Sequence, residues 1–232
     1  MNFRVLLLFY GAALLFELSA FLTEKNEIHL VSKPALMLIL IFYFALGSRK
    51  LASAKFLILA ALIFSWLGDV FLLFDKIEKS YFIYGLSSFL LAHISYIFYF
   101  WFMRKINGVR KIPSILLVAG IVIYVSIFLA VLAANVNDLF IPLTIYALII
   151  SVMLTASLSA FDFGENIYGK ICVAGTFLFV VSDSILAINR FVAPLTLAPF
   201  FIMLTYAAAQ FLIVEGSLQN LKEIKNAGPN KN

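Results

Sequence analysis

Residues 55–74 read KFLILAALIFSWLGDVFLLF: after the opening lysine, nineteen residues carry a single formal charge, the carboxylate of Asp69. About 20 predominantly apolar residues are what an α-helix needs to cross the hydrocarbon core of a bilayer. Comparable runs occupy 3–22, 31–47, 81–103, 112–133, 139–160, 170–190 and 195–214, leaving only short loops between them. The 232 residues are 64% hydrophobic and 12% charged, whereas a soluble domain is about half apolar and a quarter charged. The mean hydropathy is +1.06. No stretch alternates with period two over about ten residues as an outer-membrane strand would, and a helix satisfies its own backbone in lipid. The expected fold is therefore all-α, a polytopic bundle of about eight transmembrane helices. It would form one domain over 1–216, with a short polar tail over 217–232.

Two segments admit a second reading. Arg4, the apolar run after it and the small Ser19 and Ala20 have the layout of a secretory signal peptide, but the run is long and another membrane span follows. The second span, PALMLILIFYFALG from Pro34, is short unless His29 and Lys33 lie at the interface with their polar ends reaching toward water. Cys172 stands alone, which excludes an internal disulfide and favours packing.

Basic residues set the orientation, because loops rich in Lys and Arg stay cytoplasmic. On the N-terminal side lie Arg4, Arg49, Lys50, Lys55, Arg104, Lys105, Arg110, Lys111, Lys170, Lys222, Lys225 and Lys231, twelve of the seventeen. The other side has Lys25, Lys33, Lys76, Lys79 and Arg190. Both termini are expected inside, in the inner membrane of a bacterium. The net charge of +5 then reflects orientation; membrane lipids are the expected partners and nucleic acid is not.

A faint internal echo joins the third and seventh spans: LGDVFLL and VSDSILA each place a small residue before an aspartate, Gly68 before Asp69 and Ser182 before Asp183. The following span of each half carries a tyrosine, Tyr96 or Tyr206. Two four-helix parallel repeats would account for this.

An ionisable group inside a span costs about 2.5 to 3.5 kcal/mol on insertion scales, so the few that occur mark cavities or pair with one another. Here they are Glu17, Asp69, His93 and Asp183. In the expected topology the three acids lie in the outer half and could meet in one cavity. No basic partner is obvious; Lys33 and His93 are the only candidates. Uncompensated acids in one cavity would not all ionise, so one carboxyl is expected to hold a proton while another gives it up. Tyr96, Tyr206 and Gln210 read as polar glue between helices, Gly85 and Gly175 as close-packing points, and Lys33 as an interfacial lysine able to hold a lipid phosphate.

Five segments in this order resemble one family: KPALM (33–37), LGDVFLL (67–73), GLSSFLLAHISY (85–96), GTFLFVVSDSILAINRF (175–191) and LTYAAAQFLI (204–213). The chain is similar to the YhhN-like or transmembrane protein 86 family, which includes lysoplasmalogenase. The resemblance implies about eight transmembrane helices and hydrolysis of the vinyl-ether bond of lysoplasmalogens to a fatty aldehyde and a glycerophospho-headgroup. It further implies that Asp69 and Asp183 are the catalytic pair, with His93, Tyr206 and Gln210 matching the family's membrane polar residues. Glu17 falls outside the matching segments.

Vinyl-ether hydrolysis asks for one acid and one carboxylate, which two aspartates supply. The expected site is Asp69 and Asp183 as catalytic residues, with Lys33, Glu17, His93, Tyr96, Ser182, Tyr206 and Gln210 supporting them or the lysophospholipid. No cofactor is expected, and two aspartates with one histidine on separate helices are too loose a set for a metal site. The same intramembrane acids would also suit a proton-coupled transporter or lipid carrier. Pro194 and Pro199 near the eighth span have no counterpart in the fourth, which weakens that alternative.

Overall fold

A computed structural model describes residues 3–23, 26–109, 112–136, 138–162, 164 and 166–227. Of the basic residues used for orientation, Lys25, Arg110, Lys111 and Lys231 lie outside the described residues. The elements are α1 (Phe3–Thr23), α2 (Asn26–Gly47), α3 (Lys55–Leu73), α4 (Ser80–Ile106), α5 (Ile115–Ala133), α6 (Phe140–Ala160), α7 (Ile167–Phe191) and α8 (Ala198–Ala227). All eight are long and apolar enough to span a membrane. The protein is an integral membrane helix bundle.

Two boundaries differ from the sequence expectation. α2 begins at Asn26 and takes His29 and Lys33 into the helix, with Pro34 inside it. A membrane helix tolerates such a proline because neighbouring helices re-satisfy the freed carbonyl. α8 continues to Ala227, well beyond residue 214. Ser217, Leu218, Asn220 and Leu221 are buried there, so these turns keep an inward face despite their charged outer residues.

Seven helices neighbour one another in a closed circuit, α1 to α2, α3, α4, α6, α7, α8 and back to α1, while α2 also reaches α8. α5 rests against α6 and leaves Ile115, Leu116, Ile123 and Ile127 exposed, the surface that lipid would cover. The closest approaches use glycine. A Cβ on Gly175 would lie 2.8 Å from Ala209 O, and one on Gly216 would lie 2.7 Å from Tyr168 O. On α3 the ring of Phe89 fills the space a Gly68 side chain would need, 2.7 Å from the position of its Cβ.

Because successive helices run in opposite directions, one end of the bundle gathers the ends of α1, α3, α5 and α7 with the starts of α2, α4, α6 and α8. The candidate site lies toward that end. Near the other end Tyr43 donates to Glu215 at 2.5 Å, Gln219 to the same carboxylate at 2.7 Å, and Asn166 to Asn220 at 2.8 Å.

Candidate functional site

The first polar network joins α2, α3, α4 and α8. Residues four apart on a helix share a face, so Ser65 and Asp69 on α3 meet Gln210 and Tyr206 on the antiparallel α8 as two rungs. Tyr206 donates its hydroxyl to Asp69 Oδ2 at 2.8 Å, and Gln210 Nε2 donates to Ser65 at 2.9 Å. Tyr96 completes the amide by donating to Gln210 Oε1 at 2.6 Å. Asp69 is 1% exposed, and its other oxygen lies 3.7 Å from Lys33 Nζ. The preceding residue, Ser32, donates to Glu17 Oε2 at 2.6 Å, and His29 Nδ1 meets Glu17 Oε1 at 2.7 Å.

A second network joins α4, α6 and α7. Tyr146 donates to Asp183 Oδ2 at 2.6 Å and lies 2.8 Å from His93 Nε2. His93 Nε2 is 3.5 Å from the same carboxylate oxygen. With Tyr146 donating to Asp183, His93 donates from Nε2 to the tyrosine oxygen. His93 is fully buried, and its Nδ1 has no hydrogen-bond partner among the described residues.

Asp183 opens on an apolar crevice between α4, α5, α6 and α7, walled by Phe82, Leu86, Val125, Phe128, Leu132 and Leu143. Tyr124 and Ser184 are in hydrogen-bond contact across it, tying α5 to α7. Phe89, Phe179 and Tyr206 meet edge to face, with centroids 5.5 to 6.4 Å apart. Phe179 also packs on His93, centroid to centroid 4.7 Å. This aromatic layer links the Asp69 network to the Asp183 network.

The structure departs from several expectations. Each acid has a basic neighbour: His29 beside Glu17, Lys33 beside Asp69 and His93 beside Asp183. Such pairing offsets part of the cost of burying a carboxylate. The three acids also do not line one cavity together, since only Asp183 borders the crevice. Lys33 is 9% exposed, and its ammonium turns toward Asp69 rather than outward to the interface. Ser182 donates to Ile202 O of α8 at 3.0 Å. The polar contacts of the two halves do not repeat either: Tyr206 reaches Asp69, but its counterpart Tyr96 reaches Gln210 and leaves Asp183 to Tyr146.

Tyr146, His29 and Ser65 belong to these networks but are not among the residues selected from the sequence. A tyrosine hydroxyl inside the apolar α6 was a usable signal for Tyr146, because a buried O–H needs a partner. Among the described residues, no three His, Cys, Asp or Glu side chains gather closely enough to hold a metal ion.

The sequence pattern of the YhhN family matches residues 28–217. The chain belongs to the YhhN family. Its relatives include lysoplasmalogenase TMEM86B of Mus musculus, 27% identical over 191 residues that cover 82% of this chain and 75% of the mouse protein. Lysoplasmalogenase TMEM86B of Homo sapiens is 32% identical over 164 residues, 71% of this chain and 64% of the human protein. Lysoplasmalogenase TMEM86A of Bos taurus is 28% identical over 173 residues, covering 73% and 68%. No solved structure matches. The protein is thus a lysoplasmalogenase-like YhhN membrane protein, and both carboxylate networks except Glu17 fall within the matched region.

Proposed function

We propose that this YhhN protein is a membrane hydrolase that cleaves the vinyl-ether bond of lysoplasmalogen-type lysophospholipids. The observation that carries the proposal is Asp183: one oxygen is held by Tyr146 while the side chain, 17% exposed, borders a crevice otherwise suited to an acyl-like chain. The names of its relatives supply the substrate class.

In this reading the protonated Asp183 carboxyl gives its proton to the vinyl carbon remote from oxygen. The C=C π pair forms the new C–H bond, leaving an oxocarbenium ion beside the Asp183 carboxylate. Water adds to the cationic carbon bonded to the ether oxygen and returns a proton to the carboxylate, giving a hemiacetal. The hemiacetal C–O bond to glycerol then breaks as the glycerol oxygen takes a proton and the hydroxyl loses one, releasing fatty aldehyde and glycerophospho-headgroup. Asp69, charge-paired with Lys33, is the second carboxylate and bears on the cation through its field across the aromatic layer. The membrane is proposed to be the bacterial inner one, with cytoplasmic termini and the crevice in the outer half, on the strength of the basic residues at the opposite end.

Purified protein given lysoplasmalogen should release one aldehyde per headgroup and leave the saturated alkyl analogue intact. In D2O, aldehyde trapped as it forms should carry one deuterium at the carbon next to the carbonyl. Asp183→Asn should lower turnover by about 100-fold or more, the range of a lost general acid. No aldehyde from wild type, or full turnover by a folded Asp183→Asn, ends the proposal. Lipid uptake into proteoliposomes under a proton gradient, without product, would favour transport instead.

A further inference from the structure

Against two aromatic rings of the crevice wall stands a cation that the reaction just described does not use. Arg190 is in the last turn of α7, seven residues beyond Asp183, which places both on the same helix face about 10.5 Å apart along the axis. Its guanidinium lies 4.0 Å over the ring of Phe82 and 6.0 Å from that of Phe191. Both rings line the crevice and pack edge to face at 5.6 Å. Arg190 Nη1 donates to Asp75 Oδ2 in the loop between α3 and α4. That is the one side-chain bond the guanidinium makes among the described residues, and the side chain remains 31% exposed. A guanidinium has five N–H donors in a planar fork suited to phosphate, and the bond to Asp75 uses only one of them. Lys76 and Lys79, both exposed, lie on the same loop as Asp75.

We propose that Arg190 holds the phosphate of the lysolipid headgroup at the crevice mouth and so sets both the substrate class and the depth at which the ether bond meets Asp183. The inference rests on the vinyl-ether reading for its substrate but not for its geometry. In a lysoplasmalogen the phosphorus is six bonds from the vinyl-ether carbon that takes water, a span of the same order as two helical turns. An alkenyl chain threaded down the crevice with its phosphate on Arg190 therefore brings the reacting carbons to the level of Asp183. Asp75 occupies one donor and competes with phosphate for the guanidinium. Lys33, the cation expected for this role from the sequence, is turned to Asp69 and does not border the crevice.

The test uses full-length protein in nanodiscs and two saturated ether lipids that contain no vinyl ether, 1-O-alkyl lysophosphatidylethanolamine and 1-O-alkylglycerol of equal chain length. Arg190→Gln should weaken binding of the phospholipid about ten-fold or more, as expected for losing a charge-assisted phosphate contact, and leave the neutral lipid unchanged. Arg190→Lys should restore part of the affinity. Asp75→Asn should bind the phospholipid more tightly than wild type, because the competing carboxylate is gone. Were the ion pair only a clamp on the loop, Asp75→Asn and Arg190→Gln would behave alike and both lipids would suffer. That result overturns the proposal, as does equal binding of the phospholipid by wild type and Arg190→Gln. Glycerophosphoethanolamine without a chain should compete weakly; competition as strong as the lipid's own would make this a site for free phosphate esters. With lysoplasmalogen as substrate, Arg190→Gln should raise KM and also lower kcat, because the ether bond loses its register on Asp183. Absence of any turnover would fail the hydrolase reading alone, since the binding comparison stands without it.

Discussion

Tyr146 is the residue through which His93 and Asp183 act as one unit. Its oxygen takes the His93 N–H while its hydrogen goes to Asp183 Oδ2, so one oxygen of a side chain that borders the crevice is held in place. Removing only the hydroxyl, in Tyr146→Phe, would leave a buried imidazole N–H and one carboxylate oxygen without partners. Each such orphan costs about 1 to 3 kcal/mol. In the proposed reaction the expected result is a turnover lower by about 10-fold to 100-fold with KM for lysolipid little changed, because the lost contact bears on the proposed acid and not on headgroup or chain. Steady-state aldehyde release across a substrate series measures both constants. A Tyr146→Phe protein that keeps wild-type kcat would show that Asp183 needs no such positioning. The same logic explains why the acids are tolerated in apolar helices: Glu17 has His29 and Ser32, Asp69 has Lys33 and Tyr206, and Asp183 has His93 and Tyr146.

At the scale of elements, α7 and α8 make the most extensive helix pair, and both use glycine where the other helix's backbone arrives. Gly175→Ala would drive a methyl to 2.8 Å from Ala209 O and Ile213 N, and Gly216→Ala to 2.7 Å from Tyr168 O. Backbone cannot step aside as a flexible side chain can, so the helices must separate, and the rungs that α8 supplies to Asp69 loosen with them. Gly120→Ala on α5, where nothing lies within 4 Å, serves as the control and gains helix propensity instead. Thermal unfolding in detergent should show the first two variants less stable by several degrees, on the scale of 1 to 3 kcal/mol for overpacking, and Gly120→Ala unchanged or slightly stabilised. Equal midpoints for all three would mean that α7 and α8 do not pack this closely. The elements themselves were legible in the sequence because long apolar runs have few other uses. Asp69, His93 and Asp183 were legible because a titratable group in such a run is anomalous. Their partners were not: Tyr146 and Ser65 are ordinary residues for a membrane helix, and what they touch depends on which helices pack together. The end of α8 was hidden by composition, since LKEIKNA reads as solvated although Leu218 and Leu221, one turn apart, turn inward.

The whole molecule is polarised. One end holds both carboxylate networks, the crevice and Arg190; the other holds Tyr43 with Glu215, the Asn166–Asn220 pair and the basic residues Arg49, Lys50, Lys55, Arg104, Lys105, Lys170, Lys222 and Lys225. In the proposed reading a lipid enters the crevice from the leaflet at the Arg190 end, so orientation decides which leaflet supplies the substrate. The excess of basic residues at the far end predicts that this far end is cytoplasmic. Single-cysteine probes can read the orientation directly, because Cys172, the sole native cysteine, is fully buried and contributes little background. Lys79→Cys lies on the exposed loop between α3 and α4, and Ser53→Cys on the exposed turn before α3, at opposite ends of one helix. A membrane-impermeant maleimide should label Lys79→Cys in intact cells and Ser53→Cys only after the membrane is opened. The reverse pattern would place Asp183 and Arg190 toward the cytoplasm, so that the proposed hydrolase would draw on the inner leaflet. Labelling of both positions in intact cells would contradict a single orientation, and with it the assignment of one leaflet to the substrate.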